Sequence, residues 1–296
     1  MKIIFSAVVL MMLIVAGWFI AGGPAPLTLE PVIDSATPVL MGVIPFLQPD
    51  KLREQMQPVC LYLEKKLARP VHFVAVSDYE SLARLLELKK IHMAWFSHAS
   101  FEKLKAENNW RVICRPVQFG SVLYDGQIVV RQKSEFNTIH DLRGHIFAYV
   151  DRYSGSGFYF PNMFMTQNGI KPLEFFSRVV FTQSHRSSIL GVLDGTYDAA
   201  AVFSSNLVSE SAEKLRVIAR TGPIPNDPVV IREDLETVLK TKIESAMLLM
   251  HEDPDGIKYL KILKELRGTE KFVSEQEVRS VFKPLANASD SQTINY

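Results

Sequence analysis

The hydrophobic pattern changes character along the chain. Residues 3–23 (IIFSAVVLMMLIVAGWFIAGG) carry no charge behind Lys2. This apolar helix of roughly 18–20 residues is long enough to span a bilayer and longer than the usual core of a secretory signal. Two readings stay open for residues 1–23. An uncleaved anchor is favoured by that length, and by Pro24 and Pro26 beside the bonds a peptidase would cut after Gly23 or Ala25. A signal peptide cut after Gly17 is the other. Pro24, Pro26, Pro31 and Pro38 follow, and residues 24–37 read as an extended spacer. Strand and helix periodicities then alternate. Strands are predicted at 40–44, 71–76, 92–95 and 110–117. Helices are predicted at 50–67 (Leu52, Met56, Val59, Leu63 and Leu67 on one face), at 79–88 behind Asp78, and after Ser97. The alternation restarts near Gln127, with strands at 128–131, 146–150, 178–181, 198–202 and 215–219 and helices within 154–167 and 184–193. After a strand at 227–231 the pattern is helical, at 233–249, 256–266 and 274–282, and this tail reads as having no strands of its own.

The expectation is an α/β chain with two blocks and mostly parallel sheets. The blocks run roughly over 38–125 and 127–220, the helical tail must pack on one of them, and a ligand cleft is expected where the two meet. Of 296 residues, 47% are hydrophobic and 22% charged, which supports a packed core and excludes wholesale disorder. With 33 Lys+Arg against 32 Asp+Glu, the chain lacks the basic excess of a general nucleic-acid binder. Its 2 cysteines, Cys60 and Cys114, exclude a disulfide scaffold and a Cys-rich zinc site. Two buried free thiols are expected, a disulfide being the alternative. His92 and His98 are six residues apart without a third ligand, so no metal site is expected.

The sharpest local feature is Asp151-Arg-Tyr-Ser-Gly-Ser-Gly157, which follows a strand and opens a helix. Such a turn gathers backbone N–H groups, two hydroxyls and the positive end of a helix, the makings of an oxyanion site. A strand–helix turn merely capped by Ser154 is the alternative. Phe160 breaks a dinucleotide fingerprint, and no Lys-Ser/Thr follows to make a P-loop. His185, near another helix start, reads as an anion donor or as a capping residue. Asp227, ahead of Pro228, reads as a ligand contact or as a turn cap. No Ser/His/Asp set comes with a supporting motif, so no enzyme activity and no cofactor are expected.

Five stretches resemble the substrate-binding proteins of phosphonate, phosphite and phosphate ABC transporters. They are DYESLARLLELKKIHMAWFSHASF (78–101), YDGQIVVR (124–131), DLRGHIFAYVDRYSGSGFYFP (141–161), SHRSSILGVLDGTYDAAAVFSSN (184–206) and PIPNDPVVIR (223–232). The resemblance implies a two-lobed type II periplasmic-binding-protein fold with a hinge, residues 38–126 with 222–296 making one lobe and 127–221 the other. It also implies a monomer outside the inner membrane, tethered through residues 3–23 or released, that captures a small phosphorus oxyanion for ABC permease subunits. A tethered sensing domain acting through a separate signalling partner is the alternative. Ser154, Gly155, Ser156, Gly157 and His185 would hold the oxyanion. Tyr79, Trp95, Phe96, Ser97 and Tyr124 would line the site, and Asn206 and Asp227 would face the rest of the ligand. The chain departs from the family pattern at Gly155, where a Thr is common. It also departs at Phe96, where an aromatic hydroxyl is common, and at His92 and Ser205, where acidic residues are expected.

Overall fold

A computed structural model of the chain describes residues 37–44, 49–105, 108–203 and 213–282. The N-terminal apolar run, residues 24–36 of the spacer and Asn206 lie outside the described residues. Two sheets organise the rest. In the first, β1 (Val39–Val43) pairs in parallel with β2 (Val71–Ala75) and β3 (Met93–Trp95). α1 (Pro49–Leu67) and α2 (Tyr79–Glu87) are the crossovers. α1 forms because Leu52, Met56, Val59 and Leu63 fall on one face, and all four are buried in the core beneath β1. After β3 come α3 (His98–Leu104) and β4 (Trp110–Gln118). β5 (Leu123–Arg131) then opens the second sheet, joined by β6 (Ile146–Tyr149), β7 (Arg178–Phe181), β8 (Ala199–Phe203) and β9 (Leu215–Pro225) in the order β7-β6-β8-β5-β9. α4 (Phe160–Gln167), α5 (Pro172–Phe175) and α6 (His185–Asp194) connect its strands. β10 (Val229–Arg232) returns to the first sheet, followed by α7 (Thr237–Leu248), α8 (Pro254–Arg267), β11 (Thr269–Val273) and α9 (Glu275–Val281). The first sheet is ordered β11-β4-β10-β3-β1-β2.

Three expectations need correction. The sheets are mixed rather than mostly parallel: β10 is antiparallel to β3 and β4, β11 to β4, and β5 to β8 and β9. The strands that carry the chain out of one sheet and back again run against their neighbours. The C-terminal tail does contribute a strand, β11, which starts after Gly268 ends α8 in the left-handed region at φ 70°. Its adjacent charges, Glu270 and Lys271, hide the strand pattern, although Phe272 and Val273 are buried. Finally, β5 and β9 reach further than their apolar centres, to Leu123 and Pro225 respectively. Leu239, Ile243 and Met247 of α7 and Leu260 and Leu263 of α8 complete the core around β1. Cys60 and Cys114 are buried free thiols.

Among the described residues the chain passes between the sheets at 119–122 and at 226–228. One side chain ties these crossings together. Asn226, 1% exposed, donates from Nδ2 to the carbonyls of Pro116 and Ser121, both at 2.9 Å. Its backbone N–H donates to Val122 O at 2.9 Å.

Candidate functional site

The segments after β1, β2 and β3 leave from the carboxyl ends of parallel neighbours, and so do those after β6 and β7. Open α/β sheets bind ligands at such ends. Local capping then fixes where each helix starts. Asp78 Oδ1 accepts from Ser81 N–H at 2.7 Å, placing Tyr79. Ser97 Oγ accepts from Ser100 N–H at 3.0 Å, and Ser184 Oγ accepts from Ser187 N–H at 3.0 Å, placing His185. Gln183 N–H donates to Val150 O at 2.8 Å, which holds the turn before α6 against the end of β6.

The serine-rich turn has an unusual form. Ser154 Oγ accepts from Gly157 N–H at 3.0 Å, so the capping role is real. Residues Gly155–Tyr159 then make one wide turn, with Tyr159 N–H donating to Ser154 O, five residues back, at 3.0 Å. Single wide turns of this kind recur at functional sites. Gly157 is required by space: a Cβ there would lie 2.5 Å from Val150 Cβ and 2.7 Å from Ser154 Oγ. A Cβ on Gly155 would sit 3.3 Å from the Tyr124 hydroxyl, so the missing Thr leaves room that Tyr124 approaches. The Ser154 hydroxyl is hydrogen-bonded to Tyr79 and that of Ser156 to Tyr124. Burial raises both phenols above their usual range, which keeps them protonated and able to donate.

These residues line one cavity of about 440 Å³, a volume typical of small-molecule sites. Tyr79, Ser97, Tyr124, Ser154, Gly155, Ser156, His185 and Asp227 all face it. Trp95, Phe96 and Gly157 do not line it and stand behind it. Trp95 Nε1–H donates to Asp227 O at 2.9 Å, Phe96 stacks on Trp110, and Gly157 packs against Val150. Among the lining residues that the sequence reading missed are Arg267 and Asn226. Arg267 looks in sequence like an ordinary cation in the last turn of a helix, and Asn226 like a turn residue.

His185 is 4% exposed, its ring edge-on to Phe203 with centroids 4.5 Å apart, and its Nδ1 has no hydrogen-bond partner among the described residues. Burial pushes its pKa down to about 3, so the ring is neutral. His98 is likewise lowered to about 3, by burial first and then by Arg115 and Lys105. Both rings would regain the ordinary value of 6.5 on unfolding, so protons favour the unfolded chain. The stability they contribute is present above pH 6.5 and is lost as pH falls towards 3. His185→Gln is expected to flatten part of that acid loss in urea unfolding across this window. An unchanged slope would contradict the assignment.

The cavity also carries opposed charges. Asp227 Oδ1 accepts from His98 N–H at 3.1 Å. Burial pushes its carboxyl up to about 6 against the pull of that N–H, Arg267 and Arg115. The Arg267 guanidinium lies over the Trp95 ring, 4.2 Å from its centroid. Burial lowers it to about 10, opposed by Asp227. Asp125 lines the cavity too, but its carboxylate is 42% exposed and 3.6 Å from Arg220.

The family model for the ABC transporter phosphonate periplasmic substrate-binding protein matches residues 41–276. The chain is 28% identical over 214 residues to the phosphonates-binding periplasmic protein of Escherichia coli strain K12, a match covering 68% of this chain and 63% of that protein. It thus spans less than two thirds of that relative. The structure is similar to the binding protein component of an ABC phosphonate transporter from Pseudomonas aeruginosa (TM-score 0.73, 20% identity, 83% of this chain and 84% of that one). It is also similar to a Prochlorococcus marinus protein in complex with methylphosphonate (TM-score 0.71, 20% identity, 82% of this chain and 95% of that one). The fold is the two-sheet α/β fold of type II periplasmic binding proteins.

Proposed function

The chain belongs to the family of periplasmic substrate-binding proteins of phosphonate ABC transporters, and on that premise we propose that it captures a small phosphonate in the cavity between its two sheets for delivery to permease subunits. One observation carries the reading: the Ser154–Gly157 turn opens into a cavity that Tyr79, Tyr124 and His185 also line. Gly155 and Ser156, as the first residues of a helical turn, have N–H groups without a carbonyl partner in that turn. With two serine hydroxyls, two protonated phenols and a neutral imidazole, they form a set of uncharged donors. Such a set can replace the water shell of an oxyanion, and its hydrogen bonds become charge-assisted when the anion arrives. Phosphite and phosphate present the same oxygens and belong to the same reading.

In this reading the protein acts in the periplasm and performs no chemistry on its ligand. The parts of the chain built on the two sheets, 38–126 with 222–296 and 127–221, act as lobes closing about the crossings that Asn226 ties. Thermal melting of the full chain tests it, with methylphosphonate, phosphite, phosphate and sulfate as ligands. A ligand at about 100 times its Kd should stabilise the fold by about 2.7 kcal/mol, raising Tm by several degrees for a chain of this size. If no phosphorus oxyanion moves the transition, or sulfate moves it as far as methylphosphonate does, the reading fails.

A further inference from the structure

Uncharged donors account for the oxyanion end of the cavity. They leave unexplained why its wall also carries Phe119, Leu123, Phe203 and Leu266, all of them partly or largely exposed. A volume of about 440 Å³ falls in the range that encloses whole drug-sized ligands, far beyond what a methyl group beside a phosphorus oxyanion fills. The charged side chains of the wall do not call for a charged tail, because Asp227 and Arg267 attract each other. Phe119 is the outlier among the apolar residues. It is 58% exposed, although an aromatic ring is the side chain with most to gain from burial. Its backbone is strained as well. Gln118 and Ser121 exchange N–H···O bonds of 2.8 and 3.0 Å around Phe119 and Gly120, whose φ angles are 50° and 75°. Two positive φ angles mark a type I′ turn, which favours Asn-Gly. A bulky residue at the first of these positions is disfavoured, and strain of this kind clusters where ligands are gripped.

The ring is seated rather than loose. Phe119 N–H donates to Gly268 O at 3.0 Å, and a Cβ on Gly268 would collide with the ring edge formed by Cδ1, Cε1 and Cζ. The glycine that ends α8 therefore also makes room for the ring, two residues after Leu266, and Leu123 follows the turn at the start of β5. An Asn in this turn would relieve the backbone. Phe instead puts an exposed ring on the cavity wall. We propose that the cavity takes phosphonates with an apolar, ring-sized tail, the phosphorus oxyanion on the serine turn and the tail against Phe119, Leu123 and Leu266, a proposal that rests on the phosphonate reading of that turn. Such a tail removes the Phe119 ring from water and supplies the burial that the free protein lacks.

Calorimetric titration of the full chain against methylphosphonate, aminoethylphosphonate and benzylphosphonate tests this. Benzylphosphonate is expected to bind about ten-fold or more tightly than either of the others. Phe119→Asn suits the turn and removes the ring, and should cut the advantage of benzylphosphonate over methylphosphonate to about three-fold or less. The ranking of the probes on the unaltered chain decides the matter even if the variant fails to fold. If phosphonates bind but benzylphosphonate falls short of that ten-fold lead over both others, or a folded Phe119→Asn keeps more than the three-fold remainder, the proposal falls and the phosphonate reading stands. If none of the three binds, the phosphonate reading falls and the proposal with it.

Discussion

Alanine at both Ser154 and Ser156 should weaken methylphosphonate binding about 100-fold or more. A hydrogen bond to a charged group contributes roughly 1.5–3 kcal/mol. Losing two therefore removes at least about 3 kcal/mol, or about two powers of ten in Kd. The two serines are expected to separate in a second measurement. Ser154 Oγ also accepts the Gly157 N–H at 3.0 Å, so Ser154→Ala removes a cap. That costs about 1 kcal/mol of stability, a fall of a few degrees in Tm. Ser156 caps nothing in the turn and loses only its bond to Tyr124, so Ser156→Ala should lower Tm by less than Ser154→Ala, which loses both the cap and the bond to Tyr79, while binding at least ten-fold more weakly. Calorimetry gives the affinities and thermal melting the stabilities. A double variant that binds within three-fold of the original would remove the serine turn from the site.

The parts of this site legible in the sequence are those where chemistry and local structure share one short stretch. Ser154, Ser156 and the two glycines beside them announce both a turn and a set of donors, and the structure opens that turn into the cavity. His185 was equally legible as a residue at a helix start, but its burial and unpartnered Nδ1 depend on Phe203 and the strands beneath it. Trp95 shows the opposite limit. Its sequence context marks it for the site, yet it acts from behind the wall, through Asp227 and Arg267, because its ring is used in packing: Phe272 meets it in a T-shaped contact with centroids 5.7 Å apart, and Arg267 lies over it. Arg267 was illegible for a related reason. Its neighbours in sequence are those of a solvated helix end, and only the return of β11 beside β4 brings that end to the cavity. Strand pairing over 150 residues of separation leaves no local trace, which also explains why the mixed sheets read as parallel.

Arg115→Met should lower stability by about 3–5 kcal/mol, the usual result of breaking a buried ion pair from one side, and Tm by on the order of 10 °C. The Arg115 side chain is 1% exposed and has three partners from distant parts of the chain. Its Nε donates to Glu275 Oε2 at 2.6 Å, anchoring α9. Its Nη1 donates to Asn226 O at 2.6 Å and lies 3.4 Å from His98 Nδ1. Methionine fills most of the volume but supplies no donor. The Asn226 carbonyl would then be buried unsatisfied, and Glu275, 24% exposed, would keep only the exposed Arg279 at 3.4 Å. Asn226 joins the two crossings between the sheets, and His98 N–H holds Asp227 in the cavity wall. The loss should therefore reach the ligand as well: the variant is expected to bind phosphonate more weakly at a temperature where it is still folded. Glu275→Gln provides the contrast, since it keeps an acceptor for the guanidinium and leaves Asn226 and His98 in place, so it should cost stability with little change in affinity. A methionine variant that melts within a degree or two of the unaltered chain, or binds as tightly, would mean that the crossings are held by Asn226 alone.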